Sequence, residues 1–242
     1  MKLALGTVQF GLDYGISNIK GRVESEEIDD ILTLAKANHI DTLDCARAYG
    51  TSEENLGQLD KSQAFKIVTK IPSLSHSDTS IIPYFNRSLN YLKREKIDTL
   101  LFHDANSLLK HPLVDSFCDE ICQLKKLGLV SRIGISVYTP EQIHHANEKL
   151  PLNIVQAPFN ILDQRLDTPK NIHLLSKNGI KIHTRSAFLQ GLLLMSEGQW
   201  PSYFSPYIKL LKNITAQAQR LKVSKLTLAL AFLVRNSHLF PH

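Results

Sequence analysis

Long apolar runs are missing from this 242-residue chain. None approaches the roughly 20 residues that span a bilayer, so no membrane partner is expected. The opening MKLALGTVQFG has one lysine, an apolar patch broken by Gly6 and Gly11, and no small-residue cleavage site after it. That argues against a signal peptide. Cysteine is scarce and odd in number: Cys45, Cys118 and Cys122 fit a reducing, cytoplasmic setting better than a disulfide framework. No histidine or further cysteine stands near Cys118 and Cys122 at zinc-ligand spacing, so the pair reads as a helix's core face and no metal site is expected. Concentrated basic charge is lacking too. The net charge is +5, but Lys and Arg are scattered, and the densest run, Lys93 to Lys96, reads as a solvated helix end. Nucleic acid is therefore not an expected partner, whereas a mildly basic enzyme for a phosphate-rich small molecule is compatible.

What is present is alternation. Short β-branched runs, LALGT from Leu3, DTLDCA from Asp41, KIVTK from Lys66, DTLLFH from Asp98, RIGISV from Arg132, NIVQAP from Asn153 and KIHTRSA from Lys181, read as strands. Amphipathic stretches such as EEIDDILTLAKAN and VDSFCDEICQLKKLG lie between them. Gly128 and Gly179 stand where helix C-caps are expected. Thr51 with Glu54 reads as a capping box, and Thr139-Pro140-Glu141-Gln142 as an N-cap with Pro at the first helical position. Such units predict an α/β fold with a parallel sheet. HIDTLDCARAY and KIDTLLFHDAN enter their strands through the same Ile-Asp-Thr-Leu, as repeated barrel units would, and no Gly-x-Gly-x-x-Gly follows the first strand. The expectation is one domain over residues 1–242, a (β/α)8 barrel of the TIM type in which seven strands are recognisable.

A barrel of this kind works at the C-terminal ends of its strands. The second candidate strand reaches Asp44, the third Lys70 and the fourth His103, with Tyr49 in the loop beyond the second. Singly, each has a plain reading: a surface ion pair, a strand end, a helix cap, rim packing. Together, four ionisable groups on one mouth are costly to bury without purpose. The set suits carbonyl reduction. A phenol, with a reference pKa of about 10, is a poor acid at neutral pH; a neighbouring ammonium favours its ionised form. An Asp holds that Lys, and a His hydrogen-bonds and polarises the carbonyl.

These residues also carry a resemblance. LDCARAYGTSEENLG resembles the Asp-x-Ala-x-x-Tyr-Gly-x-Ser-Glu signature of the aldo-keto reductase family, and KIVTK and LLFHD resemble the strands bearing its Lys and His. GTVQFGLDYG and RSAFLQGLLLM are similar to a bacterial branch of it. The resemblance implies Tyr49 as general acid/base, supported by Asp44, Lys70 and His103. It implies hydride transfer from NADPH (NADP as cofactor, with NAD as the alternative) to an aldehyde or ketone. Ser136 and Gln156 match positions that hold the nicotinamide carboxamide. Arg185, Ser186, Phe188 and Gly191, in RSAFLQG, match the loop along the pyrophosphate, and Gly6 and Thr7 match the loop after the first strand.

Departures accompany it. Val137 follows Ser136 where the family often has Asn. Arg185 stands where an aromatic residue usually stacks on the nicotinamide, and a guanidinium plane can also stack. Cys45 reads as a small buried filler. His144 and His145 read as solvated surface, and Trp200 as either substrate-facing or a loop anchor. The sequence ends in KLTLALAFLVRN and SHLFPH, without the family's eighth strand or its segment for the adenosine 2′-phosphate. The expectation is therefore a barrel open between first and seventh strands, marginally stable, self-associating through the exposed edges, and with little preference for NADPH over NADH. A repurposed member of the fold with little turnover is the competing expectation.

Overall fold

A computed structural model describes residues 3–236. The first strand is short, β1 (Leu5–Gly6), and leads through a loop to α1 (Ser25–Ala37). Then come β2 (Thr42–Asp44), α2 (Ser52–Gln58), β3 (Lys66–Ile71), α3 (Ile82–Leu92) and β4 (Ile97–Phe102). Two helices follow, α4 (Ala105–Leu109) and α5 (Val114–Lys126), before β5 (Val130–Ser136) and α6 (Pro140–Lys149). The described chain closes with β6 (Ile154–Pro158), α7 (Pro169–Lys177), β7 (Lys181–Arg185), α8 (Ile208–Arg220) and α9 (Lys225–Arg235).

All seven strands fall on the runs expected, and every neighbouring pair is parallel. Their order is β1 to β7 without a reversal, so the sheet has no topological switch point and is not doubly wound. It is a curled, incomplete (β/α)8 barrel. Among the described residues β1 pairs only with β2 and β7 only with β6, which leaves the expected opening between them. The terminal SHLFPH lies outside the described residues.

Strand alternation separates two layers of side chains. Ile67, Ile71, Leu100, Phe102, Ile133, Val155 and Ile182 point outward into the main core, against Leu32, Phe85, Phe117 and Ile121 of the surrounding helices. The other face carries a small apolar layer of Val68, Leu101 and Ile154. Gly134 sits opposite Leu101 and Ile154 in the register, and a Cβ there would lie 2.0 Å from the Ile154 carbonyl oxygen. With both faces covered, IDTLLF of β4 is buried at nearly every position, as a parallel strand should be.

The helix ends show which local signals were sufficient. Gly128 and Gly179 follow α5 and α7 in the left-handed region, at φ of +73° and +62°. Pro140 opens α6, and Gln142 Oε1 accepts from the Thr139 N–H at 3.1 Å. The capping box expected at Thr51 and Glu54 does not form. Thr51 has φ −91° and ψ 12°, not the extended backbone that lets a hydroxyl reach back into the helix, and the first helical N–H, of Ser52, is taken by the Tyr49 carbonyl at 3.0 Å. Cys45 and Cys118 are buried as expected. His145 is exposed, but His144 is half-buried and its Nε2 meets Asn171 Oδ1 at 3.1 Å, a partner on α7 that the sequence did not disclose.

A satellite cluster spans the opening at the C-terminal mouth. Leu192, Leu193, Leu211 and Ile214 pack with Ile16 from the loop after β1, Leu162 from that after β6, and Leu189 and Trp200 from that after β7. Trp200 is thus a loop anchor. The Ile16 and Ser17 N–H groups both donate to the Gln190 carbonyl, at 2.9 and 3.4 Å, so backbone clasps the first loop to the last.

Candidate active site

Period-two alternation brings Asp44, Lys70 and His103 to the inner face at successive strand ends, and the loop after β2 returns Tyr49 to them. Lys70 is fully buried and is the hub. Its Nζ donates to Asp44 Oδ1 at 2.8 Å, to the Cys45 carbonyl at 2.8 Å and to the Tyr49 hydroxyl oxygen at 3.3 Å. All three hydrogens of the ammonium therefore have acceptors. The His103 ring meets the Tyr49 ring edge-on, 5.6 Å between centroids. Because Lys70 occupies an acceptor site on the phenol oxygen, the phenolic hydrogen itself remains available.

The charges sort unevenly. Burial pulls the Lys70 pKa down, but Asp44 first and Tyr49 second outweigh it, and the group is held protonated above its ordinary range. Tyr49 moves the other way from the sequence-based expectation. Burial raises its pKa by more than the Lys70 ammonium lowers it, so in the resting protein the phenol is a firmly neutral acid. His103 is lowered to about 4 by burial and then by the Lys70 charge, which keeps its imidazole neutral at physiological pH.

The loop carrying Tyr49 is fixed from both sides. Gly11 and Gly50 bring two backbones together: a Cβ on Gly11 would fall 1.9 Å from the Tyr49 carbonyl oxygen. Ser52 Oγ donates to the Thr7 carbonyl at 2.9 Å. Behind β3, on its outer face, Glu53 is fully buried and accepts from Thr69 Oγ1 at 2.5 Å, with Arg47 Nη1 3.7 Å from its other oxygen. Arg47 also lies over the Tyr91 ring at 4.4 Å. Burial raises the Glu53 carboxyl above its usual range. The sequence reading singles out Glu54 and passes over Glu53. The signal that distinguishes it from Glu54 is that it shares a helical face with the buried Leu56 and Gly57.

The residues matched to a cofactor lie along the same mouth with different freedoms. Gln156 Nε2 donates to Asp44 Oδ1 at 3.0 Å, which fixes the amide's orientation, and its Oε1 is buried without a hydrogen-bond partner. A buried orphan acceptor beside Ser136, itself buried opposite Gln156 in the register, fits the N–H of a carboxamide. Gly6 is exposed, and a Cβ there would meet nothing within 4 Å, so a ligand can approach its backbone. The Thr7 hydroxyl is engaged with the Asp44 carbonyl at 3.1 Å and with Ser52 Oγ at 2.8 Å, which makes Thr7 a wedge between strands. Ser186 (φ +59°), Leu189 (φ +47°), Gln190 (φ +57°) and Gly191 (φ +89°) give the loop after β7 a run of left-handed backbone, with Phe188 half-buried within it. Arg185 does not reach out freely: its guanidinium lies over the Tyr138 ring at 4.3 Å and its Nη2 donates to the Val137 carbonyl at 3.1 Å. His183, on β7 opposite Gln156, is a further inner-face residue that the motif reading passed over.

Among the described residues no cluster of three or more His, Cys, Asp or Glu is placed to hold a metal, and no helix is long and apolar enough to cross a membrane.

Comparison with known proteins gives the same frame. A curated relative, oxidoreductase sirO of Leptosphaeria maculans, is 29% identical over 210 residues, covering 81% of this chain. The chain spans 62% of that relative's length. Among solved structures, the aldo-keto reductase PA4992 of Pseudomonas aeruginosa is 26% identical with a TM-score of 0.63, covering 80% of this chain and 73% of its own. An aldo/keto reductase of Klebsiella pneumoniae in complex with NADP and acetate shares the fold at 15% identity and TM-score 0.68, over 96% and 76% of the two chains. The profile of the aldo/keto reductase family matches residues 2–240, and with the Asp44, Tyr49, Lys70 and His103 geometry in place the chain belongs to that family.

Proposed function

We propose that this protein reduces an aldehyde or ketone to an alcohol with NADPH, NADH being the alternative donor, and that Tyr49 is the proton donor. One observation carries the reading. Lys70, buried and held by Asp44, donates to the Tyr49 oxygen while leaving the phenolic hydrogen unengaged. The Klebsiella relative's NADP supports the cofactor assignment.

NADPH when bound supplies a hydride to the carbonyl carbon, and Ser136 and Gln156 would hold its carboxamide, Gly6 and the backbone of the loop from Ser186 to Gly191 its phosphates. Everything else belongs to the side chains. Neutral His103 donates a hydrogen bond to the carbonyl oxygen and sets its position. As negative charge gathers on that oxygen, the O–H bond of Tyr49 breaks and the proton passes to it. The phenolate left behind is stabilised by the Lys70 ammonium, an interaction stronger for the anion than for the resting phenol. A phenol with a raised pKa does not waste its proton on solvent, and Lys70 lowers the cost of losing it where the acceptor is a developing alkoxide.

The reading places the protein in the cytoplasm, with a small carbonyl compound as its partner. It also proposes weak self-association through the outer edges of β1 and β7, readable as a concentration-dependent sedimentation coefficient.

The test is Tyr49→Phe, assayed on a panel of aldehydes with NADPH and NADH. Turnover should fall by about 10²- to 10⁴-fold, the usual worth of a general acid. Cofactor affinity, followed by Trp200 fluorescence, should stay close to that of the parent. Retention of most of the turnover would remove Tyr49 from its role.

A further inference from the structure

The inner mouth is nearly neutral except at one point. Asp44 and Lys70 cancel one another at 2.8 Å. Burial keeps Tyr49 and His103 uncharged. Glu53 and Arg47 face each other behind the sheet. Arg185, at the C-terminal end of β7, is different. Its field reaches Tyr49, His103 and Tyr14. Among the described residues no carboxylate lies within ion-pairing distance of it. The acid that senses it, Asp163, is already gripped by two nitrogens of Arg165 at 2.9 and 2.7 Å.

The guanidinium is also aimed. Its Nη2 donates to the Val137 carbonyl at 3.1 Å and its Nη1 to Ser186 Oγ at 3.3 Å, while one face rests on Tyr138. A guanidinium offers five N–H donors. The three not engaged in these bonds are spread over its three nitrogens in one rigid plane, and two on neighbouring nitrogens can bind a two-oxygen anion together. Holding a cation there without a counter-charge is unfavourable unless a ligand supplies one. Arg185 lies beside Pro158 in the register, next to the strand that bears Gln156, and so within the ring of strand ends that surrounds Tyr49.

We propose that Arg185 is an anion anchor of the substrate pocket, and that the carbonyl substrate carries a carboxylate or phosphate a few bonds from its C=O. This rests on the carbonyl-reducing reading above. The anion's charge is balanced by Arg185, its oxygens take free guanidinium N–H donors, and the carbonyl end is left toward His103 and Tyr49. The same chemistry exists on the cofactor's own phosphates, so the test must separate the two sources.

The experiment compares 4-formylbenzoate with benzaldehyde, saturating NADPH, for the parent, Arg185→Leu and Arg185→Lys. The parent should prefer the charged aldehyde. In Arg185→Leu, kcat/KM should fall by about 10- to 100-fold more for 4-formylbenzoate than for benzaldehyde, the range expected for a charge-assisted hydrogen bond. Arg185→Lys, which keeps the charge without the fork, should retain part of the preference. An equal loss on both aldehydes with a raised KM for NADPH would assign the cation to the cofactor and overturn the proposal. If the parent reduces neither aldehyde, the carbonyl-reductase reading fails on its own. Calorimetric titration of 4-formylbenzoate into the NADP-saturated protein then judges the anchor separately. Binding by the parent that is lost in Arg185→Leu upholds it, and absence of binding in the parent overturns it.

Discussion

The Asp44–Lys70–Tyr49 cluster and the loop after β7 line the same mouth but are held by opposite means. In the cluster, short strands deliver side chains whose polar atoms nearly all find partners, and none of the four residues is itself left-handed. In the loop, few side-chain hydrogen bonds exist; the shape comes from left-handed residues and from the Gln190 carbonyl clasped by Ile16 and Ser17. One region is specified by chemistry at atoms, the other by the path of the chain. A catalytic set must be exact to fractions of an ångström and is built on the sheet. A loop matched to a cofactor presents backbone, and its side chains are freer to differ, as Arg185 does from the aromatic residue usual there.

The contrast can be attacked first at the hub. Lys70→Met removes the buried ammonium and leaves Asp44 unpaired except by Gln156, which should cost about 3–5 kcal/mol of stability, as broken buried pairs do. Catalysis should fall with it, and the alkaline limb of the pH–rate profile should move upward, because Lys70 is what lowers the Tyr49 pKa against burial. Urea unfolding and the pH–rate profile together read both effects, and an unmoved profile would uncouple Lys70 from Tyr49. On the loop side the sensitive variant is a methyl group. Gly191→Ala puts a Cβ 1.8 Å from Ser17 Oγ at a φ of +89°, with an expected cost of about 1–3 kcal/mol. Limited proteolysis should then cut near Ile16–Asn18 and Leu189–Gly191, while the Tyr49-dependent rate per folded molecule falls far less than in the hub variant. Resistance to cleavage equal to the parent's would show that the clasp does not depend on Gly191.

The smallest effect concerns protons. His103 in the folded protein has a pKa of about 4, below the free value of 6.5. Between those values the unfolded chain binds a proton that the folded one refuses, so stability rises with pH across the window and is lost as pH falls. From pH 7 to 5.5 the loss should be about 1 kcal/mol. His103→Gln should flatten that slope, as measured by Tm at both pH values. Identical slopes would mean that His103 is not shielded as the cluster's other members are.

How legible all this was depended on distance along the chain. Strands whose runs are locally apolar and β-branched were read correctly, down to the seventh. Gly128, Gly179 and the Thr139–Gln142 cap obey rules that operate within one turn. Asp44, Lys70, Tyr49 and His103 were grouped because barrel topology places strand ends together, and a family signature supported the grouping. Reading failed where the partner is remote. Nothing near Gln156 announces that its amide grips Asp44, nothing near His144 announces Asn171, and Thr51 lost its capping role to a turn set by Tyr49. The sign of the Tyr49 shift was missed for a different reason. Proximity of Lys70 was foreseeable, but desolvation is a property of the packed surroundings and outweighed it.

The Gln156–Asp44 bond has a consequence for synthesis. It joins residues 112 positions apart. Chains emerge from the ribosome N-terminus first at about 5–20 residues per second, so Asp44 waits roughly 6–20 s before the amide that fixes it has even been made. Tyr49, Lys70 and His103 are all translated before it. Competence of the site is therefore timed by β6, and a nascent chain that stops at β5 holds the four named side chains without the brace that sets their angle.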